Sequence, residues 1–253
     1  MSNPSAAPGA GPSNRRVQIL AAAIFAALVI VVIVVLVGGR PAPGGGDSKA
    51  GTAGVAQTKK LLEGLKQTDT TLGDPKAPVT VVEFVDLQCP FCAAHQLDEQ
   101  PKVVNALVRT GKARITVEPL AFLGPQSGVG RNVFLRLAAK GHGWDYLNRA
   151  FYNQRAENSG YMTDTWLKGV TAGIPGVTAA DLARPREAAL EPRVAQAEAL
   201  SKKLMKAGDG TPFFAVGLTS ADPATYKKID LGAKHSPADS IIAAAAAAAK
   251  TAS

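Results

Sequence analysis

Two cysteines, and only two, occur in the chain, and they stand together as Cys89-Pro90-Phe91-Cys92. The apolar run just before them, Val79-Thr80-Val81-Val82-Glu83-Phe84-Val85-Asp86, reads as a buried strand. The residues after them read as a helix, so the first sulfur falls at a helix N-terminus. Unsatisfied N–H groups and the helix dipole there favour a thiolate. In outline this is a disulfide-exchange site. A structural zinc site would need two further ligands, and His95, His142 and His235 lack the paired spacing of a zinc module. A soft Cu(I) ion held by Cys89, Cys92 and His95 is a different chemistry open to the same residues. A pair of cysteines is too few for the disulfide framework of a small secreted domain.

The elements that must position these thiols follow in order. Gly73-Asp74-Pro75-Lys76-Ala77-Pro78 is a turn that delivers the chain into the strand. After Cys89, an apolar stripe of Leu97, Val103, Val104, Leu107 and Val108 marks a helix that Pro101 should kink and Gly111 should stop. Ala113 to Leu120 is the next strand, and the intervening helix implies a parallel pair. From about 127 to 206 the pattern is helical, divided at Gly141-His142-Gly143, at 157–160 and at 173–176. Phe134, Leu135, Leu137, Trp144, Leu147, Phe151, Trp166, Leu167 and Val170 recur at helical spacing and read as core. Phe213 to Leu218 is a strand opening after Thr211-Pro212, with Tyr226 to Leu231 its antiparallel partner. Ser236 as N-cap and Pro237 in the first turn then start a last, alanine-rich helix over Ile241 to Lys250.

The chain has 253 residues, 46% of them hydrophobic and 19% charged, a globular mixture with an apolar excess. The excess is local: Val17 to Val37 carries no charge and would span about 31 Å as a helix, the thickness of a bilayer core. With Arg15 and Arg16 before it, the positive-inside rule puts the N-terminus in the cytoplasm and exports the rest. A cleavable signal peptide is the competing reading, and the apolar core is longer than such peptides use. The expected organisation is a disordered cytoplasmic tail over 1–16, a transmembrane anchor over 17–37, a flexible Gly/Pro-rich linker over 38–54 and a folded domain over 55–253. A short amphipathic helix with Leu61, Leu62 and Leu65 should open that domain. The net charge of +8 is scattered, with no aromatic-interleaved basic stripe, which argues against nucleic acid and for a basic surface near anionic lipid.

The order of parts resembles the DsbA-like branch of the thioredoxin superfamily, the exported or membrane-anchored bacterial thiol:disulfide oxidoreductases. The residues that carry the likeness are GDPKAPVTVVEFVDLQCPFCAAHQ over 73–96 and GTPFFAVG over 210–217. The resemblance implies a thioredoxin-like α/β fold with an inserted helical subdomain over about 127–206, preceded by one transmembrane helix. It implies that Cys89 is the exposed nucleophile and Cys92 the partly buried resolving thiol. It makes Pro212 a cis-proline facing the disulfide, leaving the backbone of Thr211 to pair with an extended substrate. Pro90 and Phe91 shape the site, and Phe91 stands where strongly oxidising members carry a histidine.

Glu83 falls where the family has a buried acid able to exchange the proton of the buried thiol, and it shares a strand face with Val81 and Val85. Asp86 reads as a cap for the turn before the helix. His95, on the same helix face as Cys92, reads as a surface histidine. No cofactor beyond the Cys89–Cys92 disulfide is expected, and no metal. The implied activity is that of a dithiol oxidase acting on reduced exported polypeptides through a Cys89 mixed disulfide and recharged by a membrane partner such as a quinone-linked thiol oxidase. A reductase or isomerase of the same fold, a copper chaperone and a non-catalytic scaffold are the other readings. A scaffold alone would tolerate Cys89→Ser.

Overall fold

The computed structural model describes residues 52–183, 190–232 and 235–251. The expected tail, transmembrane anchor and linker up to residue 51 lie outside the described residues. The last linker residues are tied down, contrary to expectation: Asn153 donates from Nδ2 to the Ala53 carbonyl at 3.0 Å, and Gly54 accepts from the Thr58 N–H at 2.8 Å. Helix α1 (Val55–Leu62) follows. Among the described residues no helix is long and apolar enough to cross a membrane.

Six strands form one sheet in the order β1-β2-β4-β3-β5-β6. Strand β3 (Val79–Asp86) lies at its centre, parallel to β4 (Ala113–Leu120) and antiparallel to β5 (Phe213–Leu218). The parallel pair is the one that the strand–helix–strand pattern predicts. Every residue of β3 is buried, because both faces of the sheet are covered. Val79, Val81 and Val85 belong to the larger core, while Val82 and Phe84 pack with Phe213, Tyr226, Leu200 and Leu204 on the other side. Alternation therefore places Glu83 on the larger core's face, with Val81 and Val85. Two strands escaped the sequence: β1 (Gln67–Thr68) and β2 (Thr71–Leu72) add an antiparallel edge to β4. The hairpin partner of β5 is shorter than expected. Only β6 (Lys227–Lys228) pairs, opposite Ala215 and Val216, because Pro223–Thr225 forms a 3₁₀ turn and Tyr226 folds its ring over Gly217. A Cβ on Gly217 would meet that ring at 2.2 Å, so only glycine fits there.

The helix after Cys89, α2, runs over residues 90–108 in four pieces: Pro90–Ala94, a π turn His95–Glu99, an α turn Gln100–Val103 and a second π turn Val104–Val108. The widened turn is how the helix accommodates Pro101. Proline has no N–H and its ring crowds the carbonyl four residues back, and the preceding turn opens so that the Gln100 N–H reaches the His95 carbonyl. Gly111, at φ +66°, ends the run as expected.

The inserted helices are α3 (Pro125–Ala138), α4 (Gly143–Tyr152), α5 (Asp164–Thr171), α6 (Ala179–Leu182) and α7 (Glu191–Leu204). The breaks at 157–160 and 173–176 fall between them, the one at 141–143 leads into α4 at Gly143, and all nine residues read as their core are buried. Helix α8 (Pro237–Ala249) closes the chain, with the Ser236 hydroxyl accepting from the Asp239 N–H at 3.2 Å. The architecture is thioredoxin-like α/β with a helical insertion.

Candidate active site

Strand β3 ends and α2 begins at one turn, and that turn is fixed by side chains. Asp86, fully buried, accepts from the Gln88 N–H on Oδ1 at 2.9 Å and from the Phe122 and Leu123 N–H groups on Oδ2 at 3.0 and 3.1 Å. It thus caps the turn and also ties it to the loop after β4. The insertion contributes the rest. Gln154 donates to the carbonyls of Leu87 and Cys89 at 3.0 and 3.1 Å, and Gln88 reaches Ser127 with its amide nitrogen and the Asn158 N–H with its oxygen. Sequence reasoning missed Gln88, Gln154 and Asn158, since nothing local links an amide in the insertion to a turn far away in the chain.

Cys89 is the N-cap of α2, with φ −70° and ψ 117°, and its sulfur accepts from the Cys92 N–H at 3.4 Å. Pro90 occupies the first helical position, where a missing N–H costs nothing. The Cys89 thiol donates to the Thr211 carbonyl at 3.2 Å, and the Thr211-Pro212 peptide bond is cis. The two parts of the site that the sequence separates by over a hundred residues are therefore in contact. Cys89 is less open than expected, with 4% of its surface exposed against none for Cys92, because the 211–212 loop lies on it. Both cysteines carry free thiols.

The two thiols are driven apart in acidity. A hydrogen bond from the Cys92 side chain does most to lower Cys89, to about 6, helped by Thr211 and the Cys92 and Phe91 N–H groups and opposed by burial. Burial and the neighbouring Cys89 push Cys92 well above its usual value. Phe91 contributes no side-chain hydrogen bond and is 73% exposed. Beside it, Ala94, His95, Thr211, Pro212 and Leu231 line a groove of about 430 Å³.

Beneath the helix, Glu83 is fully buried, and burial raises its carboxyl to about 8, a rise that a hydrogen bond from Gln100 holds down. Gln100 Nε2 donates to Glu83 Oε2 at 3.0 Å. No hydrogen bond joins Glu83 to Cys92 among the described residues. His95 is not a surface residue: it is 4% exposed, its ring lies 4.6 Å from that of Phe214 in β5, and its Nε2 is 3.1 Å from Gln100 Oε1. Three residues after buried Cys92 on the same helix face, His95 is covered by β5 and α8. Among the described residues, no cluster of three or more His, Cys, Asp or Glu could hold a metal ion.

The family model described as thioredoxin matches residues 65–252. The chain belongs to that thioredoxin family. A probable disulfide bond formation protein D of Bacillus cereus is 26% identical over 105 residues, 41% of this chain and 49% of that protein. The chain thus spans about half the length of the curated relatives it matches. Two solved structures share the fold. BdbD from Bacillus subtilis, in its oxidised form, superposes with a TM-score of 0.58 at 18% identity, over 81% of this chain and all of that one. The α-DsbA1 protein of Wolbachia pipientis does so with a TM-score of 0.51 at 19% identity, over 77% and 96%.

Proposed function

We propose that this thioredoxin-family chain is a thiol:disulfide oxidoreductase that works as a dithiol oxidase on reduced exported polypeptides. The observation that carries the reading is the setting of the Cys89 sulfur: at a helix N-terminus, on the Cys92 N–H, and against the Thr211 backbone. In the disulfide form a client thiolate attacks the Cys89 sulfur and the Cys89–Cys92 bond breaks. Cys92 leaves as a thiolate and takes up a proton, which its raised pKa favours. The client's second thiolate then attacks the client sulfur of the mixed disulfide and expels Cys89, whose lowered pKa makes it a good leaving group. Two electrons pass from client to protein, and a membrane partner such as a quinone-linked thiol oxidase removes them.

In this reading Pro90, Phe91, Thr211 and Pro212 shape the surface that meets the client, and Glu83 exchanges the proton of Cys92. Two arginines before an uncharged run over 17–37 support a single-pass anchor in the cytoplasmic membrane, with the N-terminus inside and the catalytic domain outside. Exposed Phe91, which gives the thiolate no hydrogen bond, is the observation that favours a reductase or isomerase of the same fold. The oxidised protein is expected to form disulfides in a reduced multi-disulfide client, and Cys89→Ser to abolish this. In intact cells, a membrane-impermeant thiol reagent should modify Cys89. Refolding no faster than without protein, or Cys89 shielded until the membrane is opened, would refute the respective half.

A further inference from the structure

The buried group formed by Glu83, Gln100 and His95 contains two polar atoms with no hydrogen-bond partner, Glu83 Oε1 and His95 Nδ1, and Glu83 Oε1 lies 3.9 Å from His95 Nε2, beyond hydrogen-bond reach. Buried polar atoms without partners are rare and demand a reason. The three side chains form a line: Glu83 Oε2 accepts from Gln100 Nε2 at 3.0 Å, and Gln100 Oε1 meets His95 Nε2 at 3.1 Å. His95 in turn lines the groove beside Thr211 and Pro212. A primary amide has a donor end and an acceptor end, and a half-turn exchanges them at little steric cost. The line therefore has two self-consistent arrangements. With Glu83 a carboxylate, Gln100 donates to it, and the amide oxygen needs a proton on His95 Nε2. With Glu83 a carboxylic acid, the acid donates to the amide oxygen, the amide nitrogen turns to His95 Nε2, and the ring proton must sit on Nδ1.

We infer that Gln100 and His95 are positioning residues that couple the protonation of Glu83 to the tautomer of His95, so that the groove-lining imidazole changes its hydrogen-bonding face whenever Glu83 gains or loses a proton. One proton separates the two arrangements. It is on Glu83 in one and has left the cluster in the other, while the imidazole carries one ring proton in both. Burial keeps His95 neutral, with its pKa lowered to about 4.

Besides Glu83 itself, 3.9 Å from His95 Nε2, the charged groups around the line are held by other partners or lie at the rim of the groove. Glu99 is the charge acting on His95 from its own helix, and its Oε2 is tied to the Ala238 N–H of α8 at 3.1 Å. Asp239 of α8 is paired with Lys102 at 2.6 Å, β5 presents Phe214, and β4 presents Val117 opposite Glu83. Asp98 completes the acidic rim of the groove. The inference rests on the reading of Glu83 as the proton exchanger only for its purpose; the coupling itself is tested without turnover.

The test is a pH titration of the full chain in its reduced form, with ¹⁵N-histidine and ¹³C-glutamate labels. His95 is expected to carry its proton on Nδ1 while Glu83 is an acid and on Nε2 once Glu83 ionises, both changes sharing one midpoint. Gln100→Leu should leave the carboxyl titrating and the tautomer fixed. Should that variant not fold, Glu83→Gln should likewise abolish the pH dependence of the His95 tautomer. A single His95 tautomer throughout the Glu83 titration overturns the coupling, and so does a tautomer change that survives both substitutions. Unaltered exchange kinetics in Glu83→Gln, with the tautomer change intact in the native chain, would instead remove Glu83 from the mechanism and leave the coupling standing.

Discussion

The Cys89 thiol is lowered to about 6 through hydrogen bonding by Cys92, by Thr211 and by the first N–H groups of α2, with no help from the exposed Phe91 side chain. A folded-state pKa below the unfolded one of 9.0 adds stability to the reduced form that is fully present above pH 9 and is lost as pH falls toward 6. Denaturant unfolding of the reduced protein relative to the oxidised one, followed over that window, should show the reduced form gaining as pH rises. A flat difference would mean that Cys89 is an ordinary thiol. Glu83 has the opposite sign. Its folded pKa of about 8 lies above the unfolded 4.5, so its contribution is present below 4.5 and is lost as pH rises through 8. Glu83→Gln removes that loss. Its unfolding midpoint should overtake that of the native chain toward the alkaline end, and its mixed disulfide should form more slowly at neutral pH, because the departing Cys92 thiolate then lacks its proton donor. Equal slopes of stability against pH in the two proteins would show that Glu83 ionises freely in the fold.

Among the elements, the turn between β3 and α2 is held together by side chains. Asp86 alone satisfies three backbone N–H groups there. Leaving buried donors unpaired costs about 1–3 kcal/mol for the group removed, so Asp86→Ala should destabilise the fold by roughly 3 kcal/mol. Chemical denaturation measures this, and a loss below roughly 0.5 kcal/mol would mean that water replaces the carboxylate. The elements differ in how far the sequence showed them. Strands β3, β4 and β5, the breaks in the insertion and the caps of α8 were legible because each rests on local chemistry: apolar runs, glycine punctuation, a serine before a proline. Strands β1 and β2 are two residues each and have no periodicity to read. His95 is buried, as its α-helical spacing from buried Cys92 implies, and the reading of it as a surface residue missed β5 and α8, which arrive from the far end of the chain to cover it. The contact of Cys89 with Thr211 was legible only through likeness to a family, since no local pattern joins them.

On the scale of the molecule, a thioredoxin-like sheet holds the reactive pair at the end of its central strand, and the helical insertion grips the same turn through Gln154 and Asn158. The insertion is thus part of what fixes the site. A tether from a membrane would keep such a site near newly exported chains and near a membrane-bound oxidant. The direction of electron flow then depends on how strongly the reduced pair is stabilised, and that is one number. Equilibrating the full chain with glutathione buffers gives the reduction potential of Cys89–Cys92. An oxidase with a stabilised Cys89 thiolate should lie well above thioredoxin's value of about −270 mV, toward the roughly −120 mV of the strongly oxidising DsbA. A potential at or below about −270 mV would contradict the oxidase reading and make the chain a reductant.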